Sequence, residues 1–186
     1  VGEHGGIIEE LTADHREVQR LFDRIRSAPP GSAERKTLVE RAGIVLVRHA
    51  VAEKEYLYPA VRRHVLDGDG WAERELAGHR RVAEILAALE EREAADEEFG
   101  RLLLPLVTEV TRHVVEVEQR LFPRLEAMCP PGTLRELGGK VREVEARAPT
   151  RPRVGAPSAA PLVKVAARVW GPWDRVRDVL TRRGRG

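Results

Sequence analysis

The sequence predicts an all-α protein, an up-down-up-down four-helix bundle with a C-terminal helical extension. Three observations lead there. Apolar residues recur at helical spacing in four long segments, and clusters of Pro, Gly, Ser or Asp stop each segment and turn the chain. Only 4% of residues are aromatic while 42% are hydrophobic and 33% charged, a balance that suits amphipathic helices better than strands. At 186 residues the chain is long enough for one domain with a full core, plus an appendage.

The first helix runs from about Gly6 to Ser27 on the stripe Ile8, Leu11, Val18, Leu21, Phe22 and Ile25, and stops before Pro29-Pro30-Gly31. The second begins at Ser32, an N-cap residue, and continues through Leu38, Val45, Leu46 and Leu57 to about His64. Asp67-Gly68-Asp69-Gly70 ends it, and Pro59 is expected to bend or restart it. The third spans about Trp71 to Arg92 with Leu76, Val82, Leu86 and Leu89 facing inward. The fourth spans about Asp96 to Met128 on Leu103, Leu106, Val110, Val114, Val117, Leu121 and Leu125, with Pro105 and Pro123 near its two ends and Pro130-Pro131-Gly132 closing it. Short connections make neighbouring helices antiparallel, so that the four stripes share one core.

These segments define a bundle over residues 1–130. A short helix follows at 131–148, then a flexible Pro/Ala/Gly-rich linker at 149–161 and a basic amphipathic helix at 162–186 that carries Trp170 and Trp173 and is interrupted by Pro172. The formal charge of +2 divides unevenly: residues 150–186 carry +7, leaving −5 on residues 1–149. A mildly acidic bundle argues against nucleic-acid binding by the core. No run of about 18 apolar residues and no secretory leader pattern is present, so a membrane span is not expected. The single Cys129 cannot close an internal disulfide, and a reducing cytoplasm is the expected compartment. The basic tail is expected to pack on its own bundle or on a partner protein.

Chemistry enters with His15, His49, His79 and His113, one on each predicted bundle helix. Any one of them alone reads as a surface or satisfied core histidine. Four imidazoles aimed at one interior can instead surround metal ions, because histidine nitrogen and carboxylate oxygen suit iron and related cations. On the second helix, at about 100° per residue, Glu53 lies about 40° to one side of His49 and Tyr56 about 20° to the other. All three are expected to point inward, with Glu55 outward. On the fourth helix, His113 and Glu118 flank the centre of the apolar stripe by about 70° each, whereas Glu116 lies about 130° away. Glu118 is therefore the candidate carboxylate, with a boundary salt bridge as its other reading. His4 and His64 are expected in solvent, and no phosphate loop, nucleophile elbow or paired-cysteine motif is present.

Asp14-His15, His49xxxGlu53, His79 and His113xxxxGlu118 together resemble the hemerythrin (HHE cation-binding) family over about residues 6–128, and the linker and closing helix look like hemerythrin-domain proteins of high-GC bacteria. The resemblance implies two iron ions, oxo- or hydroxo-bridged, held by His15, His49, Glu53, His79, His113 and Glu118. Oxygen-carrying members have HxxxH on the third helix, but four residues after His79 stands Ala83, which cannot ligate. Tyr56 and Glu75 are the two candidates for the vacancy, and a site left to water or substrate is the third alternative. An anionic phenolate or carboxylate in place of an imidazole favours the ferric state and disfavours reversible oxygen carriage.

The expected function is a non-haem di-iron protein that binds or reduces a small oxidant (hydrogen peroxide, dioxygen or nitric oxide) in oxidative or nitrosative stress defence. Peroxidase or catalase-like activity is compatible with such a site. The alternative is a non-catalytic oxygen, redox or iron sensor, or an iron-binding module.

Overall fold

In the computed structural model, residues 5–152 together with Asp174, Asp178, Arg183 and Gly184 are described. His4, most of the linker at 149–161 and most of the helix expected at 162–186 lie outside the described residues. The described part is helical, and no strand occurs in it.

The first rod is α1 (Ile7–Ser27). The second comprises α2 (Ala33–Ala52), a π-helical turn π1 (Glu53–Leu57) and α3 (Tyr58–His64). The third is α4 (Gly68–Glu90), and the fourth comprises α5 (Glu97–Glu116), a second π turn π2 (Val117–Leu121) and α6 (Phe122–Met128). A further helix, α7 (Pro131–Arg147), lies across α1 and α2. Side-chain caps fix two of the starts: Ser32 Oγ accepts from Arg35 N at 3.1 Å, and Asp96 Oδ1 accepts from Glu98 N at 2.9 Å.

Pro59 was expected to bend or restart the second rod, and the structure shows how the rod continues through it. Proline has no N–H for the carbonyl four residues back, and its ring collides with that carbonyl. The preceding turn widens by one residue, and Tyr58 N bonds to Glu53 O, five residues earlier. The fourth rod repeats the solution two residues before Pro123, where Phe122 N bonds to Val117 O. Pro105, by contrast, is absorbed inside α5.

The core divides into two apolar slabs. One joins Leu11, Leu57, Tyr58, Leu76, Leu121 and Leu125 with Val141 and Val144 of α7. The other joins Val18, Phe22, Leu38, Leu86, Phe99, Leu106 and Val114. Full burial of each such side chain contributes about 1.5–3 kcal/mol. Along every rod the histidine falls at the boundary between slabs: His15 follows Leu11 and precedes Val18, and His113 lies between Val110 and Val117. The bundle therefore contains one polar layer sealed above and below by hydrocarbon.

Helix α7 closes one side of this layer. Its approach to the start of α1 requires Gly138, where an added Cβ would lie 2.5 Å from Gly5 O and 2.7 Å from Gly6 C. The described points of the tail reach the other end of the bundle: Arg41 Nε donates to Gly184 O at 2.7 Å, Gly184 N donates to Glu40 Oε2 at 2.8 Å, and Arg183 pairs with Glu90 at 2.6 Å. No described helix is long and apolar enough to cross a membrane.

Candidate metal centre

Glu53 is the hub of the polar layer. It is fully buried, and its two oxygens face different partners. Oε1 lies 3.3 Å from His49 Nε2 and 3.5 Å from His113 Nε2. Oε2 lies 2.9 Å from His79 Nε2 and accepts a 2.8 Å hydrogen bond from the Tyr58 hydroxyl, which is itself 3.2 Å from His79 Nε2. His15 completes the group, with its Nε2 3.2 Å from that of His49. Ligand atoms of His15, His49, Glu53 and His113 all lie within 4.8 Å of one another.

Three of the imidazoles are held from behind by carboxylates. His49 Nδ1–H donates to Asp14 Oδ2 at 3.0 Å, His113 Nδ1–H to Glu75 Oε2 at 2.7 Å and His15 Nδ1–H to Glu118 Oε1 at 2.7 Å. Each bond fixes the orientation of its ring, and Nε2 of His49 and of His113 faces Glu53, the arrangement by which outer-shell carboxylates orient metal-binding histidines.

The electrostatics of the layer are set by burial and by the Glu53 charge. Burial works against charge on His49 and His113, but Glu53, together with Asp14 on His49 and Glu75 on His113, outweighs it and raises them to about 10 and about 9, respectively. Burial drives His15 down to about 2, helped by charged His49, and brings His79 down to about 4 despite Glu53. Burial alone would raise Glu53, yet the His49 and His113 charges hold it well below the usual carboxylate range. Glu53 and the two imidazoles that face its Oε1 thus favour one another's charged forms. Glu53 Oε1, His113 Nε2 and His79 Nδ1 are buried without a hydrogen-bond partner among the described residues, which is costly unless something else engages them. With metal–ligand bonds of about 2.1 Å, neighbouring ligand atoms of a tetrahedral site stand about 3.4 Å apart. Three of the spacings, 3.2, 3.3 and 3.5 Å, are close to that, and with all four ligand atoms within 4.8 Å of one another the group can hold a metal ion.

His15, His49, Glu53, His79 and His113 are thus brought together from four rods. Glu118 is not among the inner ligand atoms: it is 34% exposed and touches the outer nitrogen of His15. Glu75 is buried but meets the outer nitrogen of His113. Tyr56 lies away from the hub, beside Glu55 and within the field of Arg147 and Lys140 of α7. Glu55, expected outward, is only 3% exposed because α7 covers that face. His64 is half-buried at the end of α3.

Tyr58 is the residue that sequence reasoning missed. In a regular helix the position five residues after Glu53 lies about 140° away. The extra residue in π1 brings it to where the i+4 position would stand, over Glu53. The available signal was the pair Leu57-Tyr58-Pro59 and Leu121-Phe122-Pro123, which marks the same widened turn on two rods.

Comparison with known proteins agrees with this geometry. The hemerythrin HHE cation-binding domain matches residues 6–125. An uncharacterized hemerythrin-like protein of Schizosaccharomyces pombe is 26% identical over 176 residues, covering 94% of this chain and 86% of that protein. The crystal structure of a hemerythrin HHE cation-binding domain-containing protein from Mycobacterium kansasii superposes with a TM-score of 0.63 at 24% identity, covering 86% of this chain and 98% of the other. At that identity the likeness speaks for the fold alone.

Proposed function

The chain belongs to the hemerythrin HHE cation-binding family, and on that ground we propose that its polar layer holds two iron ions and binds or reduces a small oxidant. The observation that carries this reading is the division of Glu53, whose oxygens face two separate sets of donors. One iron would be held by His15, His49, His113 and Glu53 Oε1, and the other by Glu53 Oε2, His79 and the Tyr58 oxygen. Asp14, Glu75 and Glu118 serve as orienting carboxylates, and Tyr58 takes the part that the sequence offered to Tyr56.

An iron pair bound there would supply electrons for the reduction of dioxygen, hydrogen peroxide or nitric oxide. The chain's own residues do the rest. Glu53 neutralises part of the metal charge from a site that water does not reach. The orienting carboxylates make their imidazoles more basic ligands. The Tyr58 O–H holds a proton between Glu53 and His79, and burial with the Glu53 and Glu75 charges keeps its acidity well below that of a free phenol. With a cation held beside it, the Tyr58 oxygen would be the group able to give up its proton, and its negative charge would favour the ferric state. Such a site favours turnover of an oxidant over reversible oxygen carriage, which suits defence against peroxide or nitric oxide.

Metal analysis with a visible spectrum of the oxidised protein tests the proposal. The expected result is two irons per chain, oxo-bridge absorption, and a phenolate-to-iron band that survives Tyr56→Phe and disappears in Tyr58→Phe. A colourless, metal-free protein after expression with ample iron removes the proposal.

A further inference from the structure

A cavity of about 50 Å³ opens beside the polar layer, between α2, α4 and α5. His49, His79 and His113 form its floor, and Leu46, Val82, Ala83 and Val110 are prominent in its walls. About 10–15 Å³ of such space already holds one water, so this cavity admits a guest of a few heavy atoms. Apart from the imidazoles, the polar group that lines it is the Glu109 carboxylate, which is already engaged by Arg81 at 3.0 Å and Arg112 at 3.2 Å. The mostly hydrocarbon walls favour an apolar guest over a charged one. A charged oxidant entering it would lose most of its hydration against these walls.

Two small residues set the width. Ala83 is the position at which a third-helix ligand was sought in the sequence, and its methyl group leaves open the space that a longer side chain would fill. Gly78 lines the same cavity, and a Cβ there would lie 3.0 Å from Arg112 Nη2, so the bare glycine leaves room for both the cavity and the guanidinium that pairs with Glu109.

We propose that this cavity is the passage by which an uncharged apolar diatomic molecule, dioxygen or nitric oxide, reaches or leaves the cluster, with Ala83 and Gly78 as the residues that limit its size. The inference rests on reading the cluster as an iron site, but the cavity itself can be probed without metal. Crystals of the full chain pressurised with xenon are expected to show xenon against Ala83 in the wild type and none in Ala83→Leu. In stopped-flow mixing of the iron-loaded, reduced protein with nitric oxide, Ala83→Leu should slow binding by roughly tenfold or more, because entry must then wait for local opening. Ala83→Val provides the same comparison, with a smaller effect, if the leucine variant fails to fold. An empty wild-type cavity under xenon overturns the proposal, as does an unchanged nitric oxide rate in a variant that excludes xenon. Iron content measured on the same samples separates this from failure of the iron reading, because neither substitution touches a ligand and both should leave it unchanged.

Discussion

At the scale of single residues, the site depends on one buried anion shared by several donors. Glu53 has no Lys or Arg within ion-pair distance among the described residues, and its charge is balanced by imidazoles that ordinarily would be neutral when buried. Glu53→Gln keeps the shape and removes the charge, so metal uptake should fall to a small fraction of the wild type by elemental analysis. Glu75→Gln leaves the inner atoms untouched, weakens the hold on His113 Nδ1 and removes one of the charges that raise Tyr58. Its expected cost is about 10–100-fold in metal affinity, measured by competition with a chelator. Equal losses in the two variants would refute the division into inner and orienting carboxylates. The histidines and Glu53 were legible in the sequence because helical spacing alone aims them inward. Tyr58 was not, because its direction depends on one extra residue in a turn.

At the scale of elements, proline and glycine placement explains what periodicity could not. Pro59 and Pro123 each follow a widened turn, so each rod keeps its axis while the residues after the turn rotate relative to those before it. Helix α7 was expected as a short appendage, yet it covers α1 and α2 and buries Glu55, a residue that the second rod by itself would leave in water. Its seat depends on backbone contact at Gly138. Gly138→Ala should therefore destabilise the fold by about 1–3 kcal/mol in urea titration, since a backbone cannot step aside. Gly78→Ala meets only the flexible end of Arg112, so its expected cost is about 1 kcal/mol or less. A reversed order of these two losses would count against the packing described for α7.

At the scale of the whole molecule, the polar layer between two slabs links stability to pH and to metal. His49 and His113 titrate above the 6.5 of a free imidazole, near 10 and 9, so the stability they contribute is complete below about 6.5 and is lost as pH rises through those values. His79 and His15 titrate below it, near 4 and 2, so their contribution is lost as pH falls from 6.5 toward those values, and depressed Glu53 adds to the acid loss. The metal-free protein should show a melting temperature that peaks near pH 6.5 and declines on both sides. In the metal-loaded protein the alkaline decline should vanish, because the ion replaces the protons on His49 and His113. A flat alkaline limb in both forms would contradict the charge state assigned to the cluster. By itself the amino-acid order determined the helical class, the four rods and the inward histidine on each, because apolar periodicity and turn residues act locally and need no knowledge of neighbours. Only the tertiary structure decided which nitrogen of each imidazole faces Glu53, which carboxylates stand behind them, that Tyr58 rather than Tyr56 reaches the hub, and that Ala83 borders a cavity. Those outcomes depend on distances between rods far apart in the chain, and a single inserted residue in a turn is enough to change them.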